Sequence, residues 1–136
     1  MIPQIFASSA LQRVEFIKNT LDGTITAAAW DNLPSLQTLV LEELALSGSI
    51  PETIARAKSL KHLKISSMDL LSTFPAAVWT QLEALEELVI AAALVATQLD
   101  ERGGRLKSLS TLVVRLELSG SIPESLYSLK KLQVRD

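Results

Sequence analysis

His62 is the only histidine of the chain, and two serines and an aspartate follow it closely in the stretch His62-Leu-Lys-Ile-Ser66-Ser67-Met-Asp69. These residue types can hydrolyse esters or amides, because the imidazole accepts the serine proton and the carboxylate orients the imidazole. On one strand, however, His62 and Ser66 would lie about 13 Å apart at ~3.3 Å per residue, which is beyond hydrogen-bond reach. No Gly-x-Ser-x-Gly motif is present to expose a nucleophile. We therefore favour a solvated histidine and predict that the protein is not an enzyme.

The carboxylates fall into two groups, Glu42 with Glu43, and Glu83 with Glu86 and Glu87. Paired carboxylates can hydrolyse glycosidic bonds, and clustered carboxylates can bind calcium. The chain contains no Asp-x-Asp-x-Asp-Gly loop, and Lys64 and Arg13 are available as partners. A solvated charged face is the better interpretation, so we predict neither a metal site nor a cofactor.

One glycine-rich basic stretch spans residues 102–107, but it lacks the Gly-x-x-x-x-Gly-Lys-Ser/Thr spacing of a phosphate-binding loop. We interpret it as a flexible turn. Thirteen Lys and Arg against fifteen Asp and Glu give a net charge of −2. Because non-specific binding to DNA or RNA needs a basic surface, the sequence predicts no nucleic-acid partner.

The composition narrows the class of protein further. The chain has 136 residues, of which 48% are apolar, 4% are aromatic and none is cysteine. This length fits one domain, and the missing cysteines exclude disulfides, thiol catalysis and thiolate zinc sites. No window is apolar enough for a membrane helix, so no membrane insertion is predicted. The chain also shows no signal peptide and no glycosylation sequon, which favours the cytoplasm for the chain as given and leaves a secreted parent open.

An internal repeat organises the whole chain. Similar blocks that open with the pattern L-x-x-L-x-L begin near residues 11, 36, 60, 85 and 109, and a partial sixth block covers 129–136. The intervals are 25, 24, 25 and 24 residues, which is typical of repeat proteins. We therefore predict that residues 1–136 form one domain of about five repeats.

The alternation at the end of each L-x-x-L-x-L block predicts a short strand with one buried face. One unit cannot close its own core, so stacking the units in parallel gives a continuous sheet on an apolar spine. Glycines at matching sites predict a sharp bend after the strand, and prolines predict a short helical or 3₁₀ return segment. The glycines are Gly23, Gly48 and Gly120, and the prolines are Pro51, Pro75 and Pro123.

The pattern LxxLxLxxNxLxGxIP resembles the plant-type leucine-rich repeats of receptor ectodomains and polygalacturonase-inhibiting proteins. The segments Leu36 to Pro51 and Leu109 to Pro123, both ending LSGSIP, match it most closely. The resemblance implies an α/β repeat fold: a short curved solenoid with a parallel β-sheet on the concave side and 3₁₀, helical or irregular segments on the convex side. It also implies that the concave face binds another macromolecule.

The chain departs from this family in two respects. The asparagine of the pattern is kept only at Asn19, and its equivalents are Leu44, Met68 and Ala93. The cysteine-bearing end caps of secreted members are missing; Met1–Ala10 could cap one end, whereas the other end carries bare apolar residues. These are Leu126, Leu129, Leu132 and Val134. The exposed ends predict either an excised fragment or an end covered by a partner, including another copy of the chain. Trp30 and Trp79 occupy equivalent return-leg positions and are interpreted as structural.

In this register, the non-leucine strand residues face the concave surface, where we predict protein binding. An exposed apolar patch of Val40, Val89, Ala91 and Val113 would suit a protein partner, although β-branched residues also simply suit strands. The alternatives are a self-associating structural segment and a fragment of a larger receptor-like or inhibitor-like protein. Missing aromatic rows and threonine ladders disfavour binding of polysaccharide or ice. The predicted partner-binding residues are Arg13, Glu15, Thr38, Val40, Glu42, His62, Lys64, Glu87, Val89, Ala91, Thr111, Val113 and Arg115.

Overall fold

The computed structural model of the chain describes residues 9–18, 22–24, 33–48, 51–66, 69–70, 76–91, 106–114 and 133–135. It contains two parallel sheets, one 3₁₀ helix and one short α-helix among these residues. In chain order the elements are β1 (Arg13–Ile17), β2 (Asp22–Thr24), β3 (Thr38–Glu42), β4 (Ala45–Gly48), the 3₁₀ helix (Glu52–Arg56), β5 (His62–Ser66), β6 (Asp69–Leu70), α1 (Ala76–Gln81), β7 (Glu87–Ala91), β8 (Thr111–Val114) and β9 (Gln133–Arg135). The predicted α/β repeat fold, a short solenoid with a parallel sheet, is confirmed.

The main sheet has six strands in the order β1-β3-β5-β7-β8-β9, and neighbouring strands are parallel. Its first five strands begin at residues 13, 38, 62, 87 and 111. The steps between them are 25, 24, 25 and 24 residues, the same intervals as in the sequence repeat. Each coil of the chain therefore returns to the same register position.

The leucine lattice forms the core of the solenoid. Side chains alternate across a strand, so the leucine positions all point to one side of the main sheet. Removing each of these side chains from water stabilises the fold by about 1.5–3 kcal/mol. The buried lattice residues are Leu36, Leu39, Leu41, Leu60, Leu63, Ile65, Leu85, Leu88, Ile90, Leu109 and Leu112.

The second sheet, in the order β2-β4-β6, was not foreseen from the sequence. Gly23 and Gly48, which the sequence placed at a sharp bend, lie within β2 and β4. The left-handed backbone is found instead directly after β1 and β3, at Lys18 with φ 49° and Glu43 with φ 51°. These residues turn the chain from the main sheet toward the second sheet. Such a conformation costs a non-glycine residue about 1 kcal/mol.

The return leg after Pro51 follows the prediction from the prolines, whereas Pro75 and Pro123 lie outside the described residues. Pro51 is extended (φ −70°, ψ 148°), precedes the 3₁₀ helix, and accepts a hydrogen bond from the Ile54 N–H at 3.2 Å. Ile54 and Ala55 of this helix are buried. The helix α1 occupies the matching position one repeat later and packs against the 3₁₀ helix. None of the described helices is long and apolar enough to cross a membrane.

Backbone hydrogen bonds join adjacent coils at both ends of the main-sheet strands. Before the strands, the carbonyl of Gln37 accepts the N–H groups of Lys61 and His62 at 2.8 and 3.0 Å, and the carbonyls of Gln12, Lys61 and Glu86 do the same for the next coil. After the strands, the Lys18 N–H donates to Glu42 at 3.0 Å. These bonds pair backbone groups between adjacent coils, although most repeats lack the asparagine of the family pattern.

Candidate functional site

The main sheet brings the predicted binding residues together in columns that cross the strands. Residues that pair directly across neighbouring parallel strands lie side by side on the same face. Residue 115 lies outside the described residues, so Arg115 is not placed. The columns are Arg13-Thr38-His62-Glu87-Thr111, Glu15-Val40-Lys64-Val89-Val113 and Ile17-Glu42-Ser66-Ala91.

Two ion pairs bridge charged residues of these columns. Within β1, Arg13 Nη2 lies 2.6 Å from Glu15 Oε1. Between β5 and β3, Lys64 Nζ lies 2.9 Å from Glu42 Oε1. The sequence predicted Lys64 and Arg13 as partners of the carboxylates, and both contact one, although Arg13 takes the glutamate of its own strand. The face is thus charged but largely self-compensated.

The pair between Lys64 and Glu42 will contribute little to stability. In a double-mutant cycle of Lys64→Met and Glu42→Gln, we expect a coupling energy of about 0.2–1 kcal/mol, because both side chains are partly exposed to solvent. Urea unfolding at low salt and at high salt measures this coupling. It should shrink at high salt, where exposed charges are screened. A coupling that is several times larger and insensitive to salt would contradict this prediction.

His62 contacts a carboxylate of the neighbouring strand. Its Nδ1 lies 3.3 Å from Glu87 Oε2, and the two side chains are 45% and 46% exposed. The predicted solvated histidine is therefore confirmed. Ser66 is buried and lies four residues further along β5, so these two residues do not form a nucleophile–base pair. The contact with Glu87 was not predicted from the sequence, although the repeat period puts Glu87 one coil after His62 in the same column.

The predicted exposed apolar patch is partly wrong. Val89 is only 8% exposed, because its short side chain lies between Lys64 of β5 and Val113 of β8. Val40 and Val113 are half-buried, and nothing is described of the Ala91 side chain. Ile17, at the end of β1, is the large apolar residue that is exposed among the described residues, at 48%. The apolar contribution to the face thus comes from Val40, Val113 and Ile17.

A shallow depression of about 270 Å³ opens on this face across β1, β3, β5 and β7. Pockets for drug-sized ligands are usually about 300–1,000 Å³, so this one suits a side chain better than a whole small molecule. Thr38 and Val40 line it from β3, and charged residues line it from β1, β5 and β7. The lining residues are Arg13, Glu15, Thr38, Val40, His62, Leu63, Lys64 and Glu87.

The other residues singled out in the sequence do not line the depression. Trp79 lies in α1 and Lys107 is exposed in the turn before β8, whereas Trp30 and residues 102–105 lie outside the described residues. Across the described ranges, no group of three or more histidine, aspartate or glutamate side chains is placed to hold a metal ion.

Comparison with known proteins finds likeness in structure alone. No protein-family model matches the chain, and no curated protein matches it either. Among solved structures, the PEPR1–AtPEP1 complex matches with a TM-score of 0.83 and 28% identity over 98% of this chain and 19% of that chain. The Arabidopsis receptor kinase HAESA, in complex with the peptide hormone IDA and the co-receptor SERK1, matches with a TM-score of 0.71 and 25% identity over 98% of this chain and 26% of that one. The fold of the chain is that of plant-type leucine-rich-repeat ectodomains.

A third likeness, to the ectodomain of the Arabidopsis thaliana receptor kinase SOBIR1, concerns the fold only, with a TM-score of 0.73 and 23% identity over 90% of this chain and 67% of that chain. The leucine-rich-repeat chain spans about a fifth of the length of the first of these structures. Since a matched structure at 27% identity is the ectodomain of the receptor kinase HAESA, the predicted preference for the cytoplasm gains no support, and a secreted parent is compatible with this likeness.

Proposed function

We propose that this leucine-rich-repeat chain is a binding module that takes a peptide segment of a protein partner on the main-sheet face, and that it is not an enzyme. The main observation behind the proposal is the depression, which is lined by polar, charged and β-branched side chains of four strands. Because fold alone does not dictate function, the proposal rests on this surface, and the fold adds support to it.

The similar structures support the same class of function. PEPR1 is found with AtPEP1, and HAESA is found with a peptide hormone and a co-receptor. By this likeness, we propose that the chain belongs to a secreted or ectodomain-bearing parent. The predicted binding residues on β1, β3, β5, β7 and β8 are the proposed contact surface, and Arg13, Thr38, Val40, His62 and Glu87 are among those that line the depression.

Self-association is the second candidate, because β1 and β9 are the terminal strands of the main sheet. The edge of a parallel sheet offers backbone donors and acceptors to another strand. Light scattering between micromolar and millimolar concentration tests this role. A constant monomer mass would exclude it, whereas a mass that rises with concentration would support it.

Substituting Val40→Arg will weaken peptide binding at least about tenfold, because the larger charged side chain fills the depression between Thr38 and His62. Peptides selected from a random display library against the wild-type chain are the probe, and fluorescence anisotropy gives their affinities. The matched control is Glu83→Arg, which adds the same residue at an exposed turn position outside the depression and should leave affinity within about twofold.

The two variants decide the proposal together. Circular dichroism first establishes that both keep the wild-type fold. Equal affinities of the selected peptides for Val40→Arg and Glu83→Arg would overturn binding at the main-sheet face, since the peptides would then bind elsewhere on the chain.

A further inference from the structure

One carboxylate of the depression has no permanent cation as its ion-pair partner among the described residues. Arg13 and Lys64 are permanent cations, and each contacts a carboxylate, Glu15 at 2.6 Å and Glu42 at 2.9 Å. Glu87 is different, because its ion-pair partner among the described residues is His62, which carries charge only when protonated. With a neutral imidazole, the two permanent cations are each paired with another carboxylate, and Glu87 is the carboxylate of the lining without a charged partner in these pairs.

We propose that the depression receives a basic side chain, lysine or arginine, of a partner peptide, with Glu87 as its counter-ion and with protonation of His62 as the competing event. This inference rests on the proposed peptide binding and names the side chain that the same surface selects. The apolar stem of a lysine or arginine would cover Val40 and Thr38 while its charged head reaches the carboxylate. An acidic side chain is disfavoured because the two cations of the lining, Arg13 and Lys64, already contact Glu15 and Glu42.

Protonation of His62 adds to this face the positive charge that Glu87 lacks. The charged groups that line the depression with His62 are Glu87 on β7, Lys64 on its own strand, and Arg13 and Glu15 on β1, and Lys64 is paired with Glu42 of β3. Histidine is the side-chain type that changes charge between about pH 5 and 8, whereas the types around it ordinarily keep their charge there. On acidification, protonated His62 pairs with Glu87 in place of the partner's basic side chain and also repels that side chain. Binding therefore weakens as the pH falls.

The probe for this inference is N-acetyl-arginine-N-methylamide, and its uncharged isostere N-acetyl-citrulline-N-methylamide is the ligand control. Titrations into ¹⁵N-labelled chain follow the amide resonances of Thr38 and Val40 at pH 7.5 and pH 5.5. We expect saturable shifts with the arginine compound at pH 7.5, an affinity about fivefold lower at pH 5.5, and no saturable shift with the citrulline compound.

Three variants assign the effect to named groups. Glu87→Gln should abolish the saturable shift at pH 7.5, and the matched control Glu86→Gln should retain it, because Glu86 contacts Lys61 at 3.6 Å just before β7. His62→Gln should bind the arginine compound equally at the two pH values. Equal binding of the two compounds, unchanged binding by Glu87→Gln, or pH-independent binding by the wild type would each overturn the inference.

Failure of this inference can be distinguished from failure of the proposed peptide binding. If selected peptides lose affinity for Val40→Arg but bind Glu87→Gln as well as the wild type, the main-sheet face binds peptides without selecting a basic side chain. If peptides bind Val40→Arg normally, the proposed function itself fails, whatever the arginine compound does.

Discussion

Leu63→Ala is expected to lower the free energy of unfolding by about 2–5 kcal/mol, since this substitution removes buried methyl groups and leaves a cavity that the surrounding lattice can only partly fill. Leu63 is fully buried in β5, near the middle of the main sheet. In the register it lies between Leu39 and Leu88, which are also fully buried. A solenoid is stabilised by contacts between neighbouring repeats, so a defect here weakens two interfaces at once.

Urea unfolding followed by circular dichroism measures the loss. The matched control is Lys64→Ala, one residue further along the same strand, whose side chain is partly exposed and forms an exposed ion pair. Its cost should stay below about 1 kcal/mol. Similar losses for Leu63→Ala and Lys64→Ala would contradict the assignment of the two faces of β5.

The main sheet could be predicted because a single rule determines it. A period of 24 or 25 residues returns every coil to the same position, so equivalent positions of successive repeats pair across parallel strands. The sequence therefore predicts that Arg13 neighbours Thr38 and that Thr38 neighbours His62, and the register has both pairs. The strand alternation likewise predicts which residues enter the core.

The second sheet could not be predicted in the same way. β2 and β6 have only three and two residues, too few for alternation to be recognised. The left-handed turns that lead into this sheet occur at a lysine and a glutamate, whereas sequence reasoning assigns such turns to glycine or asparagine. The backbone conformation at these positions depends on the stacking of coils, which no single repeat reveals.

The binding face was predicted as a set of residues but not as a set of contacts. Column positions follow from the period, whereas burial depends on the side chains of the neighbouring strands. Val89 is buried because of what lies on β5 and β8, and neither neighbour is close to it in sequence. The contact of His62 with Glu87 is likewise a property of two coils.

The clearest departure from the family pattern leads to the second large prediction. Leu44 occupies the position at which the plant-type repeat has asparagine, yet it is 3% exposed and belongs to the apolar core. Leu44→Asn should therefore not restore a missing family feature. We expect it to lower the free energy of unfolding by about 2–5 kcal/mol, because it removes apolar burial and places an amide in the core.

Asparagine and leucine side chains are similar in shape, so the substitution Leu44→Asn mainly changes the polarity of the site. Leu44→Met keeps the site apolar and should cost less than about 1.5 kcal/mol, which separates the effect of polarity from that of shape. Urea unfolding of both variants gives the comparison. If Leu44→Asn is as stable as the wild type, its amide must find carbonyl partners in the adjacent coils, and the leucine would not contribute its full burial to the core. If it is destabilised as expected, backbone hydrogen bonds at the strand ends join these coils without the family's asparagine. One example is the bond from the Glu43 N–H to the Ser66 carbonyl at 3.2 Å.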